Sequence, residues 1–457
     1  MNSCKRLAIA LATAFLLLLV VTGPLFAESE DLVLARIDIT NTVTDLTMPV
    51  YAYLQDAAGR DYVLVMATVP QLDKSNTPYE FLDLCDNKSS NQAYFIALER
   101  RQGARGQAGS IADVLHDDGR HLIVCTTPEQ AEALALIGFD IEMISTPMIF
   151  RENKLEVAAV AYNPLIAEMV AKVQQQTLYN YTGGLSGEVP VTVGGSQYTI
   201  VSRYTKAGEP MTKATQYAYE FMQKFGYTVS YHDWQSWSGS SRNVIANKLG
   251  TTKPKEIILV TAHFDSMPSS ATNSPGADDN ASGSVGVMLA AEIFSKYRFE
   301  RTIRFALFTG EEQGLLGSAA YATKVAQDGE NIVAVYNMDM IAFDSKGGPT
   351  LRLHTRTTSS PGYSADKAMV DLFSEVIKLY NVNLSPILDA DGITASDHAS
   401  FWRKGFTGIL AIEDDADDFC SNYHTSKDKL ATLNMPYFTN YVKATFGTVA
   451  HLAGPVQ

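Results

Sequence analysis

From about Ser196 onward, nearly continuous apolar runs alternate with stretches in which apolar residues recur every three or four positions. "EIILVTAHFD" (256–265), "RTIRFALFTG" (301–310) and "NIVAVYNMDMIAF" (331–343) read as buried strands, and "NVIANKL" (243–249) as a further strand. "TKATQYAYEFMQKFGY" (212–227), "SGSVGVMLAAEIFSKY" (282–297) and "GLLGSAAYATKVA" (314–326) read as helices, with Gly226 placed to end the first. The alternation predicts an α/β domain with a central, mostly parallel sheet flanked by helices.

Residues 28–155 have a different rhythm. "DYVLVMATV" and "RHLIVCT" read as strands between turn signals, and "PEQAEALALIGF" as a short helix opened by Pro128. We expect a smaller α+β domain here, ahead of a domain spanning 156–457. No chemistry-bearing cluster stands out in it. "ERRQGARGQAGS" (Glu99 to Ser110) reads as a basic, glycine-rich surface loop open to proteases. "NPLIAEMVAKVQQQTL" (163–178) reads as a connecting helix.

The first 27 residues carry Lys5 and Arg6, an apolar run from Leu7 to Val21, then Pro24 and Ala27. That is the layout of a signal peptide cleaved after Ala27, although Leu25 departs from the small residue preferred at that position. The run is short for a membrane span, and an uncleaved anchor is the rival reading. A secreted or periplasmic protein is expected, with no membrane association after cleavage.

The chain of 457 residues has a net charge of −14, and losing Lys5 and Arg6 makes it −16. Such acidity argues against nucleic acid or an anionic membrane surface as partner. Cys85, Cys125 and Cys420 would remain, and the first two fit a disulfide within the N-terminal region. No Cys-x-x-Cys occurs, so a thiolate metal site is not supported.

Metal chemistry enters at the strand ends, where open α/β sheets bind ligands. His263 and Asp265 close one strand, and Asp278 and Asp279 follow in the loop "SPGADDNASG". Glu311 and Glu312 follow the next strand, and Asp339 interrupts the apolar run of the third. Each cluster alone has a bland explanation: a helix cap, a solvated helix start, a structural hydrogen bond. Together they would repel one another unless a polycation lay among them. Mixed imidazole and carboxylate donors suit zinc, with manganese or cobalt open, better than calcium or magnesium. The set is too large for one tetrahedral ion, which argues for two metals bridged by a carboxylate.

The ordered series "AHFD", "GADDNASG", "TGEEQGLLGS", "NMDMIAF" and "NYHTSKD" resembles the secreted co-catalytic di-zinc aminopeptidases of the bacterial leucyl aminopeptidase type, over about residues 160–457. The resemblance implies two Zn²⁺ per chain. His263 and Asp339 would be terminal ligands, and Asp279, four residues before Gly283, the bridging carboxylate. Glu312 and His424 would complete the ligand set, with Glu311 as general base and Asp265 orienting His263. His398 in "ITASDHASF" is the rival to His424; the family places an Asp-His pair there close to the site but not on the metals. Tyr423 is a candidate for stabilising the oxyanion, with a packed aromatic as the bland alternative. "DGITASDH" lacks both the tyrosine and the cysteines that some relatives use instead. The acidic run Glu413 to Phe419 reads as a solvated loop beside the site, with room for a rim role toward a substrate ammonium.

The function so implied is removal of N-terminal residues from peptides with a free amino terminus, an apolar first residue such as leucine being what the resemblance suggests. In that hydrolysis Glu311 takes a proton from the attacking water and passes it to the leaving amine. Residues 28–155 would be a propeptide or an attached accessory domain. Rival readings are a zinc carboxypeptidase or glutaminyl cyclase, or a non-catalytic binding protein on the same fold.

Overall fold

The structure is a computed structural model that describes residues 31–456 apart from 41–47, 86–88, 90, 152–154, 156–159 and 237. The stretch read as a signal peptide, residues 1–27, lies outside the described residues.

The N-terminal region holds two four-stranded antiparallel sheets. The first contains β1 (Leu32–Asp38), β2 (Val50–Gln55), β3 (Asp61–Thr68) and β4 (Glu80–Leu84), in the order β2-β3-β1-β4. The second contains β5 (Ala93–Glu99), β6 (Asp113–Asp117), β7 (His121–Thr126) and β8 (Phe139–Met143), in the order β6-β7-β5-β8. Successive side chains of a strand face opposite ways, so Tyr62 and Leu64 of β3 join Tyr94, Ile96 and Ile123 between the sheets. Cys125 packs in the same layer. Helix α1 (Pro128–Ile137) opens on a capping box of Thr127 and Gln130, with Pro128 in its first turn.

The stretch read as an open basic loop is partly helical, at Arg105–Ala108. Arg100 is buried in it, with only 7% of its side chain exposed. Burial is tolerated because two carboxylates flank the guanidinium, Asp140 at 2.5 Å and Asp415 at 2.6 Å.

Eight of the later strands form one sheet, and the short pairs Val191–Val193 with Ser196–Tyr198 and Arg298–Phe299 with Pro455–Val456 lie outside it. In chain order the eight are β9 (Thr228–Ser236), β10 (Gly239–Lys248), β11 (Lys253–His263), β12 (Arg301–Phe308), β13 (Asn331–Met338), β14 (Thr350–His354), β15 (Ser385–Asp389) and β16 (Gly408–Glu413). Their spatial order is β9-β10-β12-β11-β13-β16-β14-β15. The centre, β12-β11-β13-β16, is parallel, as the alternation predicts. β9 and β10 form an antiparallel hairpin on one side, and β14 runs antiparallel to β16 on the other.

β11 is apolar on both faces because both are covered. Ile258, Val260 and Ala262 enter one apolar cluster, with Met211, Val285, Met369 and Phe438 from the helices Glu209–Gln223, Gly283–Phe294, Tyr363–Leu379 and Met435–Ala453. Ile257 and Leu259 enter the opposite cluster, with Tyr321 and Val325 from the helix Leu316–Gln327. Burying an aliphatic side chain of this size contributes about 1.5–3 kcal/mol, so the doubly covered strands are the most firmly fixed part of the sheet. Parallel packing brings the ends of β11, β12 and β13 to one edge. Among the described residues no helix is long and apolar enough to cross a membrane.

Candidate metal centre

At that edge His263 ends β11, Glu311 and Glu312 follow β12, and Asp339 follows β13. The loop carrying Asp279 is fixed from several sides. Asn280 donates to the Met338 carbonyl at 2.9 Å and accepts from the Gly283 N–H at 2.8 Å. Gly283 lies so close to the end of β13 that an added Cβ would meet the Met338 carbonyl oxygen at 2.5 Å. Asp428 accepts from the backbone N–H groups of both Asp278 and Asp279 at 2.9 Å each. Arg203, wholly buried, donates to the carbonyls of Leu185, Phe264, Pro275 and Gly276 at 2.6–2.8 Å.

These supports present two buried groups of donors, His263 with Asp279 and Asp339, and Asp279 with Glu312 and His424. Within each group the ligand atoms lie within 4.8 Å of one another. Asp279 belongs to both. Its Oδ1 is 3.2 Å from His263 Nε2 and its Oδ2 is 3.3 Å from His424 Nε2. His263 Nε2 is 3.0 Å from Asp339, and His424 Nε2 is 2.7 Å from Glu312. Glu311 lines the same cavity and belongs to neither group.

The donor set fits cations. Glu312 Oε1 is buried with no hydrogen-bond partner among the described residues. Burial, with Asp279 beside it, pushes Glu312 up to about 7, and burial raises Glu311 well above the usual carboxylate range. Burial opposes charge on His424, yet Glu312 and Asp279 hold it at about 9. Carboxylates crowded out of water in this way are what a bound polycation relieves.

Several expectations are refined. Asp265 does not orient His263 through its carboxylate. His263 Nδ1 meets the Asp265 backbone oxygen at 3.2 Å, and the nearer carboxylate oxygen is 3.8 Å away. That carboxylate accepts from Thr205 at 2.8 Å and faces the N–H groups of Glu311 and Glu312 at 3.3 and 3.4 Å, so it anchors the glutamate turn. Asp278 turns away from the cavity, hydrogen-bonded to Glu413, and burial raises it to about 7. His398 meets the Ile393 carbonyl at 2.8 Å and enters neither donor group. Tyr423 stacks on His424 with ring centroids 3.6 Å apart, and its hydroxyl donates to Asp140. The acidic run is not simply solvated. Glu413 is buried and accepts from the Cys420 N–H, Asp415 pairs with Arg100 and His354, and Asp414 and Asp417 pair with Arg352.

Four contributors carried no role in the sequence reading. Asp428 lies within "NYHTSKD", four residues after His424, and that spacing was the available signal. Arg203, Arg100 and Asp140 sit in stretches with no motif. Arg100 and Asp140 belong to the N-terminal region and line the cavity with the donors. The cavity measures about 20 Å³.

Residues 243–449 match the model of peptidase family M28. A probable leucine aminopeptidase of Trichophyton verrucosum is 30% identical over 220 residues, 46% of this chain and 57% of that protein. The chain thus spans little more than half the length of the curated relatives it matches. The LapA aminopeptidase of Legionella pneumophila shares the fold at a TM-score of 0.62 and 17% identity, covering 81% of this chain and 100% of that one. LapB of the same organism gives 0.62 and 17%, covering 79% and 99%. An 81% share is more than residues 156–457 supply alone, so this likeness of fold extends into the N-terminal sheets. The stretch that matches the family M28 model carries all five motifs of the ordered series.

Proposed function

We propose that the chain is a secreted zinc aminopeptidase holding two Zn²⁺, with His263, Asp279 and Asp339 around one and Asp279, Glu312 and His424 around the other. The observation that carries this reading is the placement of Asp279, which turns one carboxylate oxygen toward each histidine while Glu311 stands in neither donor group. When bound, the two ions would supply Lewis acidity toward a water and the scissile carbonyl. Glu311 takes the proton from the attacking water and delivers it to the leaving amine. Tyr423, turned away from Asp140, would donate to the oxyanion. The substrate's free ammonium would lie against the carboxylates of Asp339 and Glu311, gaining charge-assisted hydrogen bonds.

In this reading residues 1–27 direct secretion, 28–155 form an N-terminal domain, and 156–457 carry the chemistry. A carboxypeptidase would need a free cationic clamp for the substrate's carboxylate. Arg100, which lines the cavity, is already committed to Asp140 and Asp415. The test is metal analysis beside hydrolysis of a leucyl peptide. Chelation should abolish hydrolysis, and zinc should restore it at close to two ions per chain. Full hydrolysis by metal-free protein would contradict the proposal.

A further inference from the structure

Two consecutive residues of the candidate centre, Tyr423 and His424, are gripped by the N-terminal region. Asp140 accepts from the Tyr423 hydroxyl, and Arg101 donates to the Tyr423 carbonyl at 2.8 Å. The Ala135 carbonyl accepts from His424 Nδ1 at 2.8 Å. Arg100 bridges Asp140 on its own side to Asp415 on the other, at 2.5 and 2.6 Å. These contacts come from one small patch, because the N–H groups of Arg100 and Arg101 both donate to the Gly138 carbonyl, at 2.9 and 3.1 Å. The patch therefore joins the end of β5 to the turn between α1 and β8.

With the patch seated, the cavity of about 20 Å³ holds roughly one water, for which ~10–15 Å³ suffices. Pockets that bury a drug-sized ligand measure about 300–1,000 Å³. A peptide terminus cannot enter this arrangement. The surrounding interface is rich in ion pairs: besides Arg100–Asp415 it includes Arg120–Asp391, Arg403–Glu142 and Lys206–Glu132. Polar contact surfaces of this kind between parts of one chain permit relative motion.

We infer that this patch of the N-terminal region is a latched lid over the metal pocket, with Arg100 as the latch between Asp140 and Asp415. This rests on the proposal that the pocket is the peptidase site. Lifting the patch also takes the Ala135 carbonyl from His424 Nδ1, and it has two consequences for the substrate. It opens the cavity to a peptide, and it releases the Tyr423 hydroxyl from Asp140 for the substrate. The shut state therefore withholds both entry and a proposed oxyanion donor.

The test uses the full-length, zinc-loaded protein with Arg100→Ala and, separately, Arg101→Ala, which removes only the grip on the Tyr423 carbonyl and guards against misfolding of the first variant. Two quantities are read: the rate at which the small chelator dipicolinate strips zinc, and kcat/KM on a leucyl peptide. Losing a charge-assisted grip should speed stripping by about tenfold or more, and kcat/KM should rise in step. Stripping at the wild-type rate in both folded variants would overturn the lid. So would a fall in kcat/KM with both zinc ions retained, because the patch would then be part of the substrate site. Faster stripping with no hydrolysis by any form would uphold the lid and remove the aminopeptidase reading instead.

Discussion

The Nδ1 atom of His424 meets the carbonyl oxygen of Ala135 at 2.8 Å, across 289 residues of chain. A carbonyl accepts only, so Nδ1 carries the proton and the lone pair of a neutral ring is left on Nε2, facing Glu312 and Asp279. The N-terminal region thus sets the tautomer of a residue in the candidate metal centre.

The two adjacent glutamates should separate cleanly by substitution. Glu311→Gln should keep the metal content and lower kcat by roughly 10²-fold or more, because only proton transfer is removed. Glu312→Gln should instead weaken zinc binding, as seen in zinc titrations. Wild-type rates in both variants would contradict the roles proposed for them.

Asp428 is predicted to act through the backbone of the Asp279 loop. Its two oxygens hold the N–H groups of Asp278 and Asp279. An asparagine offers one acceptor in their place. Asp428→Asn should weaken zinc affinity by about 10–100-fold, the usual range for partners behind metal ligands, with the protein still folded. Unchanged affinity would show that the loop holds its shape without Asp428.

A pH dependence is expected at His354, buried between Asp391 and Asp415. Burial alone would lower the imidazole, but the two carboxylates dominate and raise it from 6.5 to about 10. Arg120 faces the first carboxylate and Arg100 and Arg352 the second. A folded-state value above the unfolded one means the folded protein holds the proton more tightly. This contribution is full below about pH 6.5 and is lost as the pH rises toward 10. Urea midpoints should fall across that window, and His354→Gln should flatten the fall. Parallel profiles for the two proteins would contradict the charged imidazole.

Strands β11, β12 and β13 were legible in the sequence because each is buried on both faces and is followed by polar residues, whereas β16 (Gly408–Glu413) was not read as a strand. Ile257 to Ala262 followed by His263 is the plainest instance. The donors at strand ends, His263, Glu312 and Asp339, were legible for the same reason, since a polar group closing an apolar run asks for a partner, whereas Asp279 and His424 were picked out by the family resemblance. The acidic run was misread because nothing near it in the chain announces Arg100, Arg352 or His354 across the fold. Spacing places the Asp265 side chain on a face without saying which donors reach it, and here Thr205 and the glutamate turn do. The grip on Tyr423 and His424 was invisible for a stronger reason. Ala135 contributes only a backbone oxygen, which any residue supplies, so docking alone gives it a role.

One peptide in four forms tests whether the proposed metal pocket reads a free amino terminus. The leucyl peptide is presented free or acetylated at its N-terminus, and free or amidated at its C-terminus. Acetylation removes the ammonium charge and its hydrogen bonds to the pocket carboxylates, each worth roughly 1.5–3 kcal/mol. kcat/KM should fall by orders of magnitude on acetylation and change little on amidation. Loss of hydrolysis on amidation, with the acetylated peptide still cleaved, would contradict recognition of the amino terminus.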